Sequence, residues 1–175
     1  MFRRFSPGTR QAWIAKESAA LALTSALERL LDGHLGEGVE TGIDMIIDKK
    51  LLDELTASAK ASPRLRMNLD LRNSSADGSQ RMLNAIEPGT VMPIHRHHAS
   101  SETVVILRGR IRWIFYDENG KETERVVLDA NGEPRMLNVE KDRWHSLECL
   151  VSGSVLYESK DGPYHPQEED EIMVK

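Results

Sequence analysis

The chain has 175 residues, of which 39% are hydrophobic and 29% charged, and a formal net charge of −5. The length suits one domain with a small appendage, and the apolar content is enough to build a core rather than a disordered chain. The acidic balance argues against nucleic acid as a partner. No run approaches the ~18 apolar residues of a membrane-spanning helix.

Residues 1–43 differ in character from the rest. Ser6-Pro7 can open a helix, and Trp13, Ile14, Ala20, Leu21, Leu27, Leu30 and Leu31 then recur at helical spacing until Asp32-Gly33. The Gly-rich run from Gly33 to Gly42 reads as a linker. This extension is open to three uses: packing on the following domain, a homodimer contact, or neither. Arg3 and Arg4 before the apolar stretch Ala19 to Leu27 loosely resemble a secretory leader. Glu28, Arg29 and Asp32 follow, however, where a small-residue cleavage site belongs. With Cys149 as the single cysteine, no intramolecular disulfide can form, and the expected compartment is the cytoplasm.

The functional domain is expected over 44–175. Asp48 is a good N-cap, Leu51, Leu52, Leu55 and Ala59 make one apolar stripe, and Pro63 ends this second helix. Segment 73–79 is turn material. From about residue 80 the hydrophobic period becomes two. Strands are predicted over 80–86, 91–97, 102–108, 110–117, 123–129, 135–139, 143–149 and 153–159. Ile111, Trp113 and Phe115 fall on one face, with Arg112, Ile114 and Tyr116 on the other. Asn119-Gly120 and Asn131-Gly132 mark turns. Eight short, evenly spaced strands predict a mainly β, antiparallel sandwich or barrel over about 80–160. The basic run 1–16 and the acidic run 161–175 read as solvated tails.

The chemistry concentrates in Gly89-Thr-Val-Met-Pro-Ile-His95-Arg-His97-His-Ala-Ser-Ser-Glu102 and its continuation to Gly109. His95 and His97 are two apart, which on a strand puts both imidazoles on one face. Glu102 follows a short polar connection and can turn back beside them. Trp144-His145 opens a later strand, and a closed sheet can bring His145 to the same interior. Three imidazoles and a carboxylate would suit a divalent transition metal, with Fe, Mn, Ni, Co, Zn and Cu all admissible. A His-x-His pair alone is commonly a surface or core feature. His98, next to His97, points off that face, and Cys149 reads as a small buried apolar residue. Arg81 suits capture of a carboxylate or phosphate, or equally a surface ion pair. Glu158, Lys160 and Tyr164 end the last strand and are candidates to rim a ligand pocket. Trp113, Tyr116 and Trp144 read as barrel packing.

Gly89, His95, His97, Glu102 and Gly109 fill every slot of the first cupin motif, so the chain resembles the cupin superfamily. Of the second motif only His145 is kept. Asp142 stands in the glycine slot, which Asp tolerates; Glu140 and Cys149 replace the proline and asparagine. The runs from Ile47, Ser62-Pro-Arg64, Gln80 to Gly89, Leu107 to Ile111, Arg143-Trp-His145 and Glu158 to Tyr164 are similar to WbuC-type cupin metalloproteins over about 45–170. The resemblance implies a single cupin (double-stranded β-helix or jelly-roll) barrel with N-terminal helices. It also implies a metal held by His95, His97, Glu102 and His145, and a setting in bacterial O-antigen or other surface polysaccharide biosynthesis. The expected ligand is a small polar molecule such as a sugar. Metal-dependent isomerisation or epimerisation, oxygen-dependent cleavage, non-catalytic binding and a purely structural metal all remain open readings.

Overall fold

The computed structural model describes residues 45–173; the helix and linker expected within 1–43 lie outside the described residues. Helix α1 (Lys49–Ala61) starts where Asp48 accepts a hydrogen bond from the Leu51 amide at 2.9 Å. It ends before Pro63, with the Ser62 N–H donating to Ser58 and Ala59 carbonyls. Its apolar stripe, with Leu55 and Ala59 fully buried, packs on Leu69, Leu83, Ala85 and Val155. The helix therefore covers the outer face of a sheet, where each buried leucine contributes about 1.5–3 kcal/mol.

Eight strands follow: β1 (Arg66–Asp70), β2 (Ser79–Ile86), β3 (Glu102–Arg108), β4 (Arg110–Tyr116), β5 (Glu122–Asp129), β6 (Met136–Val139), β7 (His145–Cys149) and β8 (Ser154–Asp161). They form one five-stranded sheet, ordered β1-β2-β8-β3-β6, and one three-stranded sheet, ordered β5-β4-β7. Every pairing is antiparallel. The two sheets face each other across a core drawn from seven of the strands, including Ile86, Val104, Leu128, Val139, Cys149 and Leu156. Ile111, Trp113 and Phe115 sit in that core, as their alternation predicts. Gly89, Gly109 and Gly120 adopt positive φ, and so does Asp142 at 63°, in the slot where its short side chain was expected to replace glycine.

Three expectations are corrected. First, 91–97 is not a strand: Pro93 lacks a donor, and only His95 makes a bridge, to His145 on one side and Ile172 on the other. Secondly, β1 was not foreseen, although Met67 and Leu69 alternate with Arg66, Asn68 and Asp70. Thirdly, the acidic C-terminal run is a solvated tail only in part: Asp161, Glu168, Glu169 and Asp170 are exposed, but its end is not. Glu171 is 1% exposed and Ile172 6%. Arg96 N donates to Glu171 O at 3.0 Å and Met173 N to Ile94 O at 2.9 Å. The Glu171 carboxylate accepts from His98 N and Glu168 N. Residues 168–173 therefore close as a strap on the 94–98 segment, while Tyr164 to Gln167 pass beside the cavity. Among the described residues no helix is long and apolar enough to cross a membrane.

Candidate metal centre and cavity

Reciprocal backbone bonds join residues fifty positions apart in sequence: His95 N to His145 O at 2.9 Å and His145 N to His95 O at 2.8 Å. This bridge places the two imidazoles side by side, with ring centroids 4.3 Å apart. His97 lies 5.1 Å from His95 and 5.7 Å from His145 by the same measure. Trp113 stacks on His145 at 5.4 Å and 20°, fixing its ring plane.

One ligand atom from each of His95, His97 and His145 falls within 4.8 Å of the others. Two ligands ~2.1 Å from a shared ion span at most ~4.2 Å, so only a small closure is needed. The tautomers suit the task. His95 Nδ1 faces Pro93 O at 3.1 Å and His145 Nδ1 faces Arg143 O at 2.8 Å. An Nδ1–H donating to a carbonyl leaves the Nε2 lone pair for a metal. The Nε2 atoms of His97 and His145 and Glu102 Oε1 are buried and meet no partner in good hydrogen-bond geometry, although His145 Nε2 and Glu102 Oε1 face each other at 2.8 Å. Orphaned buried donors and acceptors cost free energy unless something else engages them. The residues fit a transition metal on these grounds.

Glu102, 3% exposed, sets one oxygen 2.8 Å from His145 Nε2 and the other 3.5 Å from His97 Nε2. That second oxygen also lies 3.2 Å from Lys160 Nζ, and Lys160 reaches Glu158 at 2.7 Å. Burial alone would raise the Glu102 carboxyl, but Lys160 and the neighbouring histidines hold it well below the usual carboxylate range. Burial likewise works against the Lys160 charge, yet Glu158 and Glu102 raise its pKa. The His95 ring is driven well below its ordinary value, by burial first and by His145 and His97 next. It stays neutral, as a metal ligand must.

Beside the histidines is a cavity of about 180 Å³. Its wall includes Glu158, Lys160 and Tyr164, with the carboxylate of Glu158 accepting from Asn84 Nδ2 at 3.0 Å. Arg81 lies elsewhere. The cavity takes Gln80, Met82, Asn84 and Ile86 from β2, and the intervening residues Leu83 and Ala85 face α1. Arg81 shares that outward parity and pairs with Asp77 at 3.0 Å. His98 also points away, bonding Asp142. Cys149 is buried, donates to Ile86 O, and has its thiol pKa raised by burial. Tyr116 and Trp144 pack with Ile94 outside the cavity. Trp113, expected only to pack, also lines it, and its indole N–H is buried without an acceptor. Sequence reasoning passed over Asn84, Gln80, Arg64, Arg66 and Glu171. The parity of β2 could have found the first two.

A family model described as a domain of unknown function (DUF6016) matches residues 47–128, under half of the chain. No curated protein matches. Among solved structures, CapF of Staphylococcus aureus, a capsular polysaccharide assembling protein, superposes with a TM-score of 0.51 at 15% identity. That match covers 65% of this chain and 32% of CapF. A second CapF structure gives 0.50 at 16% identity, covering 62% and 30%. The Cnp3 cupin domain of Schizosaccharomyces pombe gives 0.45 at 12% identity, covering 55% and 64%. The chain thus spans about a third of CapF and under two thirds of the Cnp3 chain.

The fold is a cupin barrel. In this barrel the metal candidates come from the irregular segment before β3 (His95, His97), the first residue of β3 (Glu102) and the first residue of β7 (His145). A metal held there would supply a Lewis acid and open positions for water or ligand. Asn84, Glu158, Lys160, Met82, Met92 and Leu147 line the cavity beside it.

Proposed function

We propose that this chain is a metal-dependent cupin whose cavity takes a sugar, or the sugar end of a nucleotide sugar, in bacterial surface polysaccharide assembly. The observation that carries this reading is the meeting of three imidazoles beside a small cavity lined by amide and charged side chains. At about 180 Å³ the cavity is below the ~300–1,000 Å³ of drug-sized sites. That room suits a monosaccharide ring rather than a whole nucleotide. The mixture of apolar wall and paired polar groups suits a ring with hydroxyls. Support for the setting comes from the similarity to WbuC-type cupins and from CapF, named for capsular polysaccharide assembly, which shares the fold.

The test incubates metal-loaded protein with a panel of sugars and nucleotide sugars. It follows melting temperature and, by mass spectrometry, product. Turnover lost together with metal in His97→Ala is the expected result; turnover that survives metal loss sinks the reading. A second reading, a non-catalytic binding module, is favoured by one observation. Glu102 and Glu158 both hold Lys160, and Glu171 accepts two backbone N–H groups, so these carboxylates are committed to internal partners. A ligand that raises the melting temperature and is recovered unchanged decides for that reading.

A further inference from the structure

The metal centre leaves the indole N–H of Trp113 without a role. Trp113 is 2% exposed and lines the cavity, and its Nε1 is buried with no acceptor. Buried tryptophans ordinarily find one. Trp144, outside the cavity, donates its N–H to Glu118 at 3.0 Å. The Trp113 ring stacks on His145, and Val126 and Leu147 flank it in register on β5 and β7, so the donor is held in place. An enclosed donor without an acceptor costs free energy, and a ligand that supplies the acceptor recovers it.

The surroundings decide which acceptor fits. Trp113 shares its core with Ile86 and Leu156, and all three line the cavity together with Leu147 and Met92. An indole N–H can only donate. A hydroxyl would accept from it but would bring its own proton among aliphatic side chains that offer no acceptor. A carboxylate would bring a charge, and Lys160, the lysine of this cavity, is already shared by Glu102 and Glu158. A neutral carbonyl accepts while carrying neither proton nor charge. An acyl carbonyl adds an alkyl end for the aliphatic wall to cover.

That wall changes character within one strand repeat. Ile86 and Asn84 are successive cavity-facing residues of β2, about 7 Å apart along the strand. Asn84 is in register with Leu156. It gives Nδ2 to the Glu158 carboxylate at 3.0 Å, a bond only the amide nitrogen can make, and this leaves Oδ1 to accept. Asn68, in register with Asn84, adds a second carboxamide to the cavity. Aliphatic side chains next to a carboxamide acceptor match an acylamino group, whose carbonyl accepts, whose N–H donates and whose alkyl end is apolar.

We propose that the cavity recognises an acylamino sugar, its acyl carbonyl accepting from Trp113 Nε1 and its amide N–H donating to Asn84 Oδ1. Trp113 thereby determines specificity. The sugar ring rests on the reading above; the acylamino contact does not.

The test titrates the full chain, zinc-loaded and isotope-labelled, and reads calorimetric affinity together with the indole N–H resonances. The probes are an N-acetylhexosamine, the parent hexose, a hexuronic acid, a ketohexose and N-acetylglycinamide, an acylamide with no sugar ring. Trp113→Phe keeps a ring and removes the N–H, which also assigns the resonance; Trp13→Phe and Trp144→Phe assign it by elimination if that variant misfolds. N-acetylhexosamine should bind wild type at least tenfold tighter than hexose and move the Trp113 indole proton downfield. Trp113→Phe should lose that tenfold preference while hexose binding is unchanged, and Asn84→Ala should lose part of it. An indole shift with N-acetylglycinamide and no response to any sugar upholds the acylamino contact and removes the sugar reading. An indole resonance that no probe moves overturns the proposal. So does a ketohexose or hexuronic acid that binds as tightly as N-acetylhexosamine, or a folded Trp113→Phe that keeps the preference.

Discussion

Lys160 places its ammonium 3.2 Å from Glu102 Oε2, the oxygen other than the one facing His145. Both side chains are nearly enclosed, at 13% and 3% exposure. A cation from the protein thus neutralises the carboxylate of the candidate metal centre. Replacing Lys160 with Met leaves Glu102 charged and buried alone, and breaking such a pair costs about 3–5 kcal/mol. The metal-free variant should melt well below wild type, and added metal should recover a good part of the loss by restoring positive charge. Melts with and without chelator check this. Equal melting of the two proteins in chelator sinks it.

The histidines and Glu102 should not contribute equally to metal affinity. His95, His97 and His145 form the convergent group, whereas Glu102 already shares its charge with Lys160. His→Ala at any of the three should reduce metal per chain to near zero. Glu102→Gln should retain metal with affinity down about 10–100-fold, the usual effect of an adjusting rather than a sole ligand. Elemental analysis and competition titration separate the two cases. Complete metal loss in Glu102→Gln contradicts it.

Stability of the metal-free protein should fall with acid in two stages. The folded His95 ring resists protonation, while the unfolded ring takes a proton near its usual 6.5. Below that pH the unfolded state binds more protons, so stability declines. The folded Glu102 carboxyl sits below its usual 4.5, so its contribution is present above that value and is lost as pH falls further. Melting temperature against pH should show an upper step that His95→Gln removes and a lower step that it leaves.

The strap depends on Glu171. Its carboxylate accepts from His98 N at 2.9 Å and Glu168 N at 3.0 Å. Glu171→Ala strands both donors, at about 1–3 kcal/mol each. Hydrogen exchange should quicken across 94–98 and 168–173 and stay unchanged in β4 and β5. Uniform quickening would mean the strap is not a separate unit.

Gly109 has φ +77°, and a Cβ there would sit 2.8 Å from Ser154 Cα. Gly109→Ala should cost about 1–2 kcal/mol for the left-handed backbone and about 1–3 more for overpacking. Gly162, at φ +83° with nothing within 4 Å, should cost only the first part. Urea unfolding of the two alanine variants measures the difference.

The sequence by itself determined the helix on Asp48, the strand alternation from residue 80, the turn at Asn119-Gly120 and the grouping of His95, His97 and Glu102. All of these are local: caps, period-two burial and short spacings act over a few residues. Only the tertiary structure decided that His145 meets His95, because that contact is a backbone bridge between segments fifty residues apart. It likewise decided that Lys160 faces Glu102, through the β3–β8 register, and that Arg81 faces away, through the parity of β2. The acidic end misled for the same reason. Its charges read as solvated one by one, yet Glu171 is buried because the 94–98 segment offers backbone donors that no local pattern announces.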